Sequence, residues 1–153
     1  MLHNGPTTDV VACPPLNGGK NTTYEGGIRE PAIMRFPSRI PAGMVSQTPV
    51  IIMDVFETIM DITKAQRPEG YESDGVSLWP LFEGQRLEPR KMFFYFPRTQ
   101  PPYGGRSSAA VIDELGYKYI HFYTNDGPEL YDLNNDLRER TNLIFMARLI
   151  CTD

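Results

Sequence analysis

The chain is poor in the residues that build soft-metal and redox sites: its 153 residues include two cysteines, Cys13 and Cys151, and two histidines, His3 and His121. That repertoire is too thin for a structural zinc site. Cysteines at opposite ends exclude the disulfide framework of a small secreted domain, leaving two free thiols or a single bridge. Any metal would be a hard cation held by oxygens. No apolar run approaches the ~20 residues of a membrane span. The opening Met1-Leu2-His3-Asn4-Gly5-Pro6 has neither a charged leader nor an apolar stretch of the secretory kind. An intracellular protein, or a chain that begins downstream of its true start, is the expectation. Charge of one sign is also missing: 15 Lys and Arg against 19 Asp and Glu leave −4. Without a basic footprint for phosphate backbones, nucleic acid is excluded as a partner.

What remains, 41% hydrophobic and 22% charged residues, is the balance of a soluble globular domain. The 13 glycines and 14 prolines are concentrated in the first 45 positions and in 97–105, where regular structure should be scarce. Residues 1–30 read as one long loop, of the kind that is functional or disordered. Residues 32–36, bounded by Pro31 and Pro37, fit a buried strand. A lone buried strand needs neighbours, so it reads as the last strand of a larger sheet outside this chain.

The best helix begins at Thr48-Pro49, with Thr48 as N-cap and Pro49 at the first helical position. Ile52, Val55, Phe56, Ile59, Met60 and Thr63 would form its apolar face, opposite Asp54, Glu57 and Asp61. Lys64 would complement the C-terminal dipole, and Pro68 and Gly70 would end the element. Leu78, Leu81 and Phe82 make a short apolar cluster before Gly84. Residues 92–96 are an aromatic strand, 107–113 and 117–123 a hairpin turned at Gly116, and 129–133 a last short strand.

The densest stretch for chemistry is Gly18-Gly19-Lys20-Asn21-Thr22-Thr23-Tyr24-Glu25-Gly26-Gly27-Ile28-Arg29-Glu30-Pro31. Glycines beside a lysine leave room for a ligand, and an ammonium on a flexible stem suits an anion. By residue type alone, anion binding and a solvated surface turn both stay open. The phosphate loop of nucleotide-binding proteins is excluded, because Asn21 follows the lysine where Ser or Thr is needed.

This stretch closely resembles the segment that follows the metal site in sulfatases of the arylsulfatase type. The likeness continues in register through Arg35-Phe36-Pro37 with Arg39-Ile40-Pro41-Ala42-Gly43, residues 54–61, Asp74-Gly75-Val76-Ser77-Leu78-Trp79-Pro80-Leu81, and Glu129-Leu130-Tyr131-Asp132-Leu133 with Asn142-Leu143. The resemblance implies an α/β protein, α+β within this stretch: the C-terminal part of a sulfatase, alkaline-phosphatase-like fold with a small antiparallel sheet and one main amphipathic helix. Residues 1–47 would be active-site loop and last strand of the larger sheet, and 48–153 the helix with the antiparallel subdomain.

The resemblance further implies hydrolysis of sulfate esters of small molecules or glycans by a formylglycine nucleophile beside a calcium ion. Lys20 matches the lysine that contacts the sulfate. Asn4 matches the Asn of the calcium-binding Asp-Asn-Gly motif, but His3 stands where Asp is expected, and a neutral imidazole is a poor calcium ligand. The nucleophile motif, Cys/Ser-x-Pro-x-Arg, does not occur here: Cys13-Pro14-Pro15-Leu16-Asn17 imitates its start, with Asn17 in place of Arg. The nucleophile, most metal ligands and the acid/base histidine would therefore lie outside this chain, which alone should be inactive. Family members are commonly exported or lysosomal. Two other readings stand beside this one: a non-catalytic sulfatase-like binding module, which His3 favours, and a phosphate- or phosphonate-ester hydrolase on related architecture.

Four further features are expected to be subordinate. Asn21-Thr22-Thr23 is a glycosylation sequon on paper, Glu25 and Arg29 are spaced to pair, and His121 is a packed or half-exposed strand histidine. Tyr95, Tyr103 and Arg106 border a segment that could shape a substrate rim.

Overall fold

The computed structural model describes residues 15–37, 39–97 and 106–146. His3, Asn4, Cys13, Tyr103 and Cys151 lie outside them. The chain divides into two units, Met1–Ala32 with Arg90–Asp153, and Ile33–Pro89.

The first unit is built on an antiparallel meander of four strands, β1 (Met92–Phe96), β2 (Ser108–Ile112), β3 (Tyr117–Phe122) and β4 (Glu129–Asp132), neighbours in chain order. The register aligns Phe94 with Ala110, Ala110 with Ile120, and Ile120 with Glu129. Aromatic and β-branched residues suit this half-buried pleated surface. The β2–β3 turn requires Gly116 (φ 85°), and Asp113 Oδ1 accepts the N–H groups of Leu115 and Tyr117 across it. One sheet face is closed by Ala110, Ile120, Phe122 and Tyr131, with Tyr24, Phe94 and Leu133 packed against them. On β3 the buried positions are Lys118, Ile120 and Phe122, so a lysine occupies the core-facing row. A single helical turn, α1 (Glu25–Ile28), interrupts what the composition reads as continuous loop.

The second unit carries α2 (Met53–Thr63) and the short α3 (Trp79–Phe82). The helix begins later than the Thr48-Pro49 signal predicts. Thr48 donates its N–H to Ser46 Oγ, the N-cap position falls to Ile52 without a side-chain cap bond, and Asp54 in the first turn accepts the Ile51 N–H on Oδ2 at 2.8 Å. It ends at Lys64, in the left-handed conformation (φ 54°) with its ammonium 2.9 Å from Asp61.

The larger correction concerns which face of α2 is covered. Ile52 and Ile59 remain 58% and 53% exposed, whereas Asp54, Glu57 and Thr58 are buried. The polar face is covered because it captures the segment after the helix. Val76 N–H donates to Asp54 Oδ1 at 3.0 Å, Leu78 N–H to Thr58 Oγ1 at 2.9 Å, and the Arg67 guanidinium to Glu57 Oε2 at 2.6 Å. Chain leaving a helix must place its N–H groups somewhere, and these side chains accept them.

The strand expected at 32–36 is not formed among the described residues, and Ile33 is 93% exposed. An extended apolar segment becomes a strand only when a neighbouring edge takes up its hydrogen bonds. No helix among the described residues is long and apolar enough to cross a membrane.

Candidate functional site

The loop that carries Lys20 is shaped first by its own backbone. Gly18 adopts φ 67° and Asn21 φ 72°. Thr22 closes the turn, its hydroxyl donating to Gly19 O at 2.7 Å and its N–H bonding the same oxygen at 3.2 Å. Gly26 N–H then reaches back to Asn17 O at 2.7 Å. This fold-back leaves no room for side chains at two positions. A Cβ on Gly26 would lie 2.5 Å from Asn17 O, and one on Gly27 2.3 Å from Thr22 O. The two glycines of the Glu-Gly-Gly run are thus a packing requirement of the loop.

Three consecutive side chains anchor this loop to the sheet. Thr23, buried, shares a 3.0 Å hydrogen bond with Ser108 on β2. Tyr24 donates its hydroxyl to Glu129 Oε2 at 2.7 Å, and Arg106 donates to the same hydroxyl. Glu25 accepts from the Lys118 ammonium on β3 at 3.0 Å and, on its other oxygen, from Arg29. The expected Glu25–Arg29 pair is therefore formed, and inside a larger cluster. Glu139 completes it, accepting the Glu25 N–H at 2.8 Å and placing its second oxygen 2.8 Å from Lys118 Nζ.

Two polar groupings result. In the first, Tyr131 also donates to Glu129 Oε2, at 2.9 Å, and the Arg106 guanidinium lies 3.7 Å from the Phe122 ring centroid. Burial, reinforced by the hydrogen bonds to Glu129, pushes both tyrosine hydroxyls far above their ordinary range, so they remain donors. In the second, burial pushes the Glu139 carboxyl up while Lys118 opposes the shift. Glu139 also holds φ 52°, uncommon for a residue with a side chain. Beyond β4, Asn142 Oδ1 accepts the Leu130 N–H and Leu143 N–H donates to Leu130 O, tying the chain back to that strand.

Lys20 itself is half-buried, and among the described residues nothing pairs with its ammonium. The other site residues named from the sequence, His3 and Asn4, fall outside the described residues, as does Cys13. Among the described residues no cluster of His, Cys, Asp and Glu could hold a metal ion. The described residues thus do not make up a calcium site by themselves. His121 is exposed and stacks edge-on with Tyr123 at 5.0 Å; Tyr95 meets the same ring at 6.0 Å. Arg106 belongs to the anchor of the loop. Lys118 and Glu139 escaped the sequence reading, although strand alternation already places Lys118 in one row with Ile120 and Phe122.

Residues 19–149 match the family described as N-sulphoglucosamine sulphohydrolase, C-terminal. The dog N-acetylgalactosamine-6-sulfatase is 38% identical over 110 residues, 72% of this chain and 19% of that protein. Human steryl-sulfatase is 32% identical over 152 residues, covering 82% of this chain and 26% of that protein. The chain therefore spans about a fifth to a quarter of these relatives. Among solved structures, "Ps i-CgsB" superposes with TM-score 0.73 at 26% identity, over 89% of this chain and 29% of that one. The same protein in complex with k-i-k-neocarrahexaose gives 0.68. The antiparallel sheet with its few helices is accordingly the one found in sulfatases of alkaline-phosphatase-like fold. With its Gly-Lys loop, anchoring residues and closing Asn-Leu segment all inside the matched region, this chain belongs to the sulfatase family, in the part described as C-terminal.

Proposed function

We propose that this chain forms the C-terminal part of a sulfuric ester hydrolase and contributes Lys20 to its sulfate pocket. The carrying observation is an ammonium without a partner among the described residues, on a loop whose neighbours are all fastened: Thr23, Tyr24 and Glu25 are each tied to the sheet within five positions of it. A cation carried on an anchored loop suits a group that gathers negative charge. As the ester bond breaks, charge builds on the sulfuryl oxygens, and a preorganised ammonium stabilises that state more than the ground state. Lys20 would serve as both substrate-binding and catalytic residue. A sulfated glycan or small molecule is the substrate class, a reading supported by the oligosaccharide named in the complex of the structurally similar protein.

In this reading the formylglycine nucleophile and most calcium ligands come from polypeptide other than this chain, with Asn4 adding one oxygen ligand and His3 a poor one at most. The protein would act in an extracellular, periplasmic or lysosomal compartment, as family members do. The isolated chain is expected to give no turnover of an aryl sulfate above a buffer blank. In a longer protein that contains this segment, Lys20→Ala should lower kcat/KM by about 10²–10³, the scale of losing one oxyanion-stabilising donor. Turnover by the isolated chain, or unchanged kinetics in the variant, would remove the proposal.

A further inference from the structure

The buried ammonium of Lys118 is used by nothing in the reading above. It is fully buried, on a strand position flanked in the same row by Ile120 and Phe122. Taking a lysine out of water costs several kcal/mol unless partners compensate, and removing the charge would be cheaper than satisfying it. Here it is satisfied by carboxylates from two other segments. Glu25 belongs to α1, directly after the Lys20 turn, and Glu139 lies in the chain after β4. Glu139 joins the two directly by accepting the Glu25 backbone N–H. One cation therefore ties β3, the Lys20 loop and the post-β4 segment together.

We propose that Lys118 is a positioning residue for the Lys20 loop, setting through Glu25 and Glu139 the register in which Lys20 is presented. This rests on the reading of Lys20 given above. The balance of charge explains why a lysine is required. Without it, Glu25 and Glu139 face each other with Arg29, half-exposed and paired to Glu25, as the remaining counter-charge among the described residues. The hydroxyls of Tyr24 and Tyr131 lie close enough to feel Glu139, but they donate to Glu129 and do not replace the cation. One carboxyl must then take up a proton or swing out, and Glu25 can move only with the loop.

The test uses the 153-residue chain and compares Lys118→Met with Ile120→Ala, a core truncation in the same buried row. Amide resonances of residues 19–29 and hydrogen exchange at Gly26, whose N–H is held by Asn17 O, report the loop. Lys118→Met should shift those resonances and speed Gly26 exchange ~100-fold at neutral pH, the scale of breaking a buried ion pair. The excess over the parent at the same pH should shrink ~10-fold as pH falls, once one carboxyl is protonated. Ile120→Ala should destabilise the sheet with loop resonances in place, except that of Tyr24, which packs on the same core cluster, and with no recovery in acid. A common response from both variants, or a silent loop in Lys118→Met, overturns the proposal. Should Lys118→Met fail to fold, Glu139→Gln decides. Loop resonances shifted with the sheet unchanged support the assignment, and an unmoved loop sinks it. None of these readouts requires turnover, so failure of the Lys20 reading, seen as unchanged kinetics in Lys20→Ala, is a separate result.

Discussion

Gly26 and Gly27 show how a motif that looks like ligand chemistry can be backbone chemistry. Glycines around a lysine suggest open space for a ligand, but the space beside these two is taken by carbonyl oxygens of the loop itself. Gly26→Ala should therefore cost about 1–3 kcal/mol, the usual penalty for forcing atoms into a packed site. It would show as a lower denaturant midpoint at unchanged slope. A variant as stable as the parent would mean that the fold-back yields cheaply. This stretch and its anchors hold the residues most and least legible in the sequence. Lys20 was singled out by type and by resemblance, and Glu25 with Arg29 by spacing. Lys118 and Glu139 were passed over because their partners lie 93 and 114 positions away from them in the chain. No local pattern announces such a pairing.

At the scale of elements, α2 is where periodicity was informative about the helix and misleading about its packing. A stripe at 3.6-residue spacing predicts that the apolar side faces a core. The structure instead covers Asp54, Glu57 and Thr58 with the chain that follows. That arrangement makes the unit sensitive to acid. The Arg67 guanidinium, with Ser73 assisting, holds the Glu57 carboxyl below its ordinary 4.5, and Lys64 and then Ser77 do the same for Asp61 against 3.8. Because both folded-state values are depressed, their contribution is present above those ordinary values. It is lost as pH falls through the lowered folded ones. Arg67→Gln should thus destabilise the second unit at neutral pH, and its difference from the parent should shrink as pH falls below 4.5 and Glu57 is protonated. Residue-resolved exchange along α2 reads this, and a difference independent of pH would contradict the pairing.

For the whole molecule, the notable surface is what the second unit leaves uncovered. Ile52, Phe56 and Ile59 stand exposed on α2, with Tyr71 stacked on Phe56 at 5.4 Å, and Ile33 is exposed where a strand was expected. Large apolar side chains left exposed in such number favour association or aggregation. The isolated chain should bind an apolar fluorescent dye and self-associate as concentration rises. Phe56→Glu should reduce both while leaving helical content unchanged; dye binding that persists undiminished would place the sticky surface elsewhere.

Sequence alone determined what local rules govern: the four strands within a residue or so, the Gly116 turn, the existence of one main helix and the family-like motifs. These follow from pleat alternation, glycine's tolerance of positive φ and short-range spacing, which need no knowledge of the rest of the chain. Only the tertiary structure decided which face of α2 is buried, that 32–36 stays unpaired, and that a lysine in a core row holds the Lys20 loop through two distant carboxylates. Burial and ion pairing depend on what arrives from elsewhere in the chain, and long-range arrival leaves no periodic trace in the residues that await it.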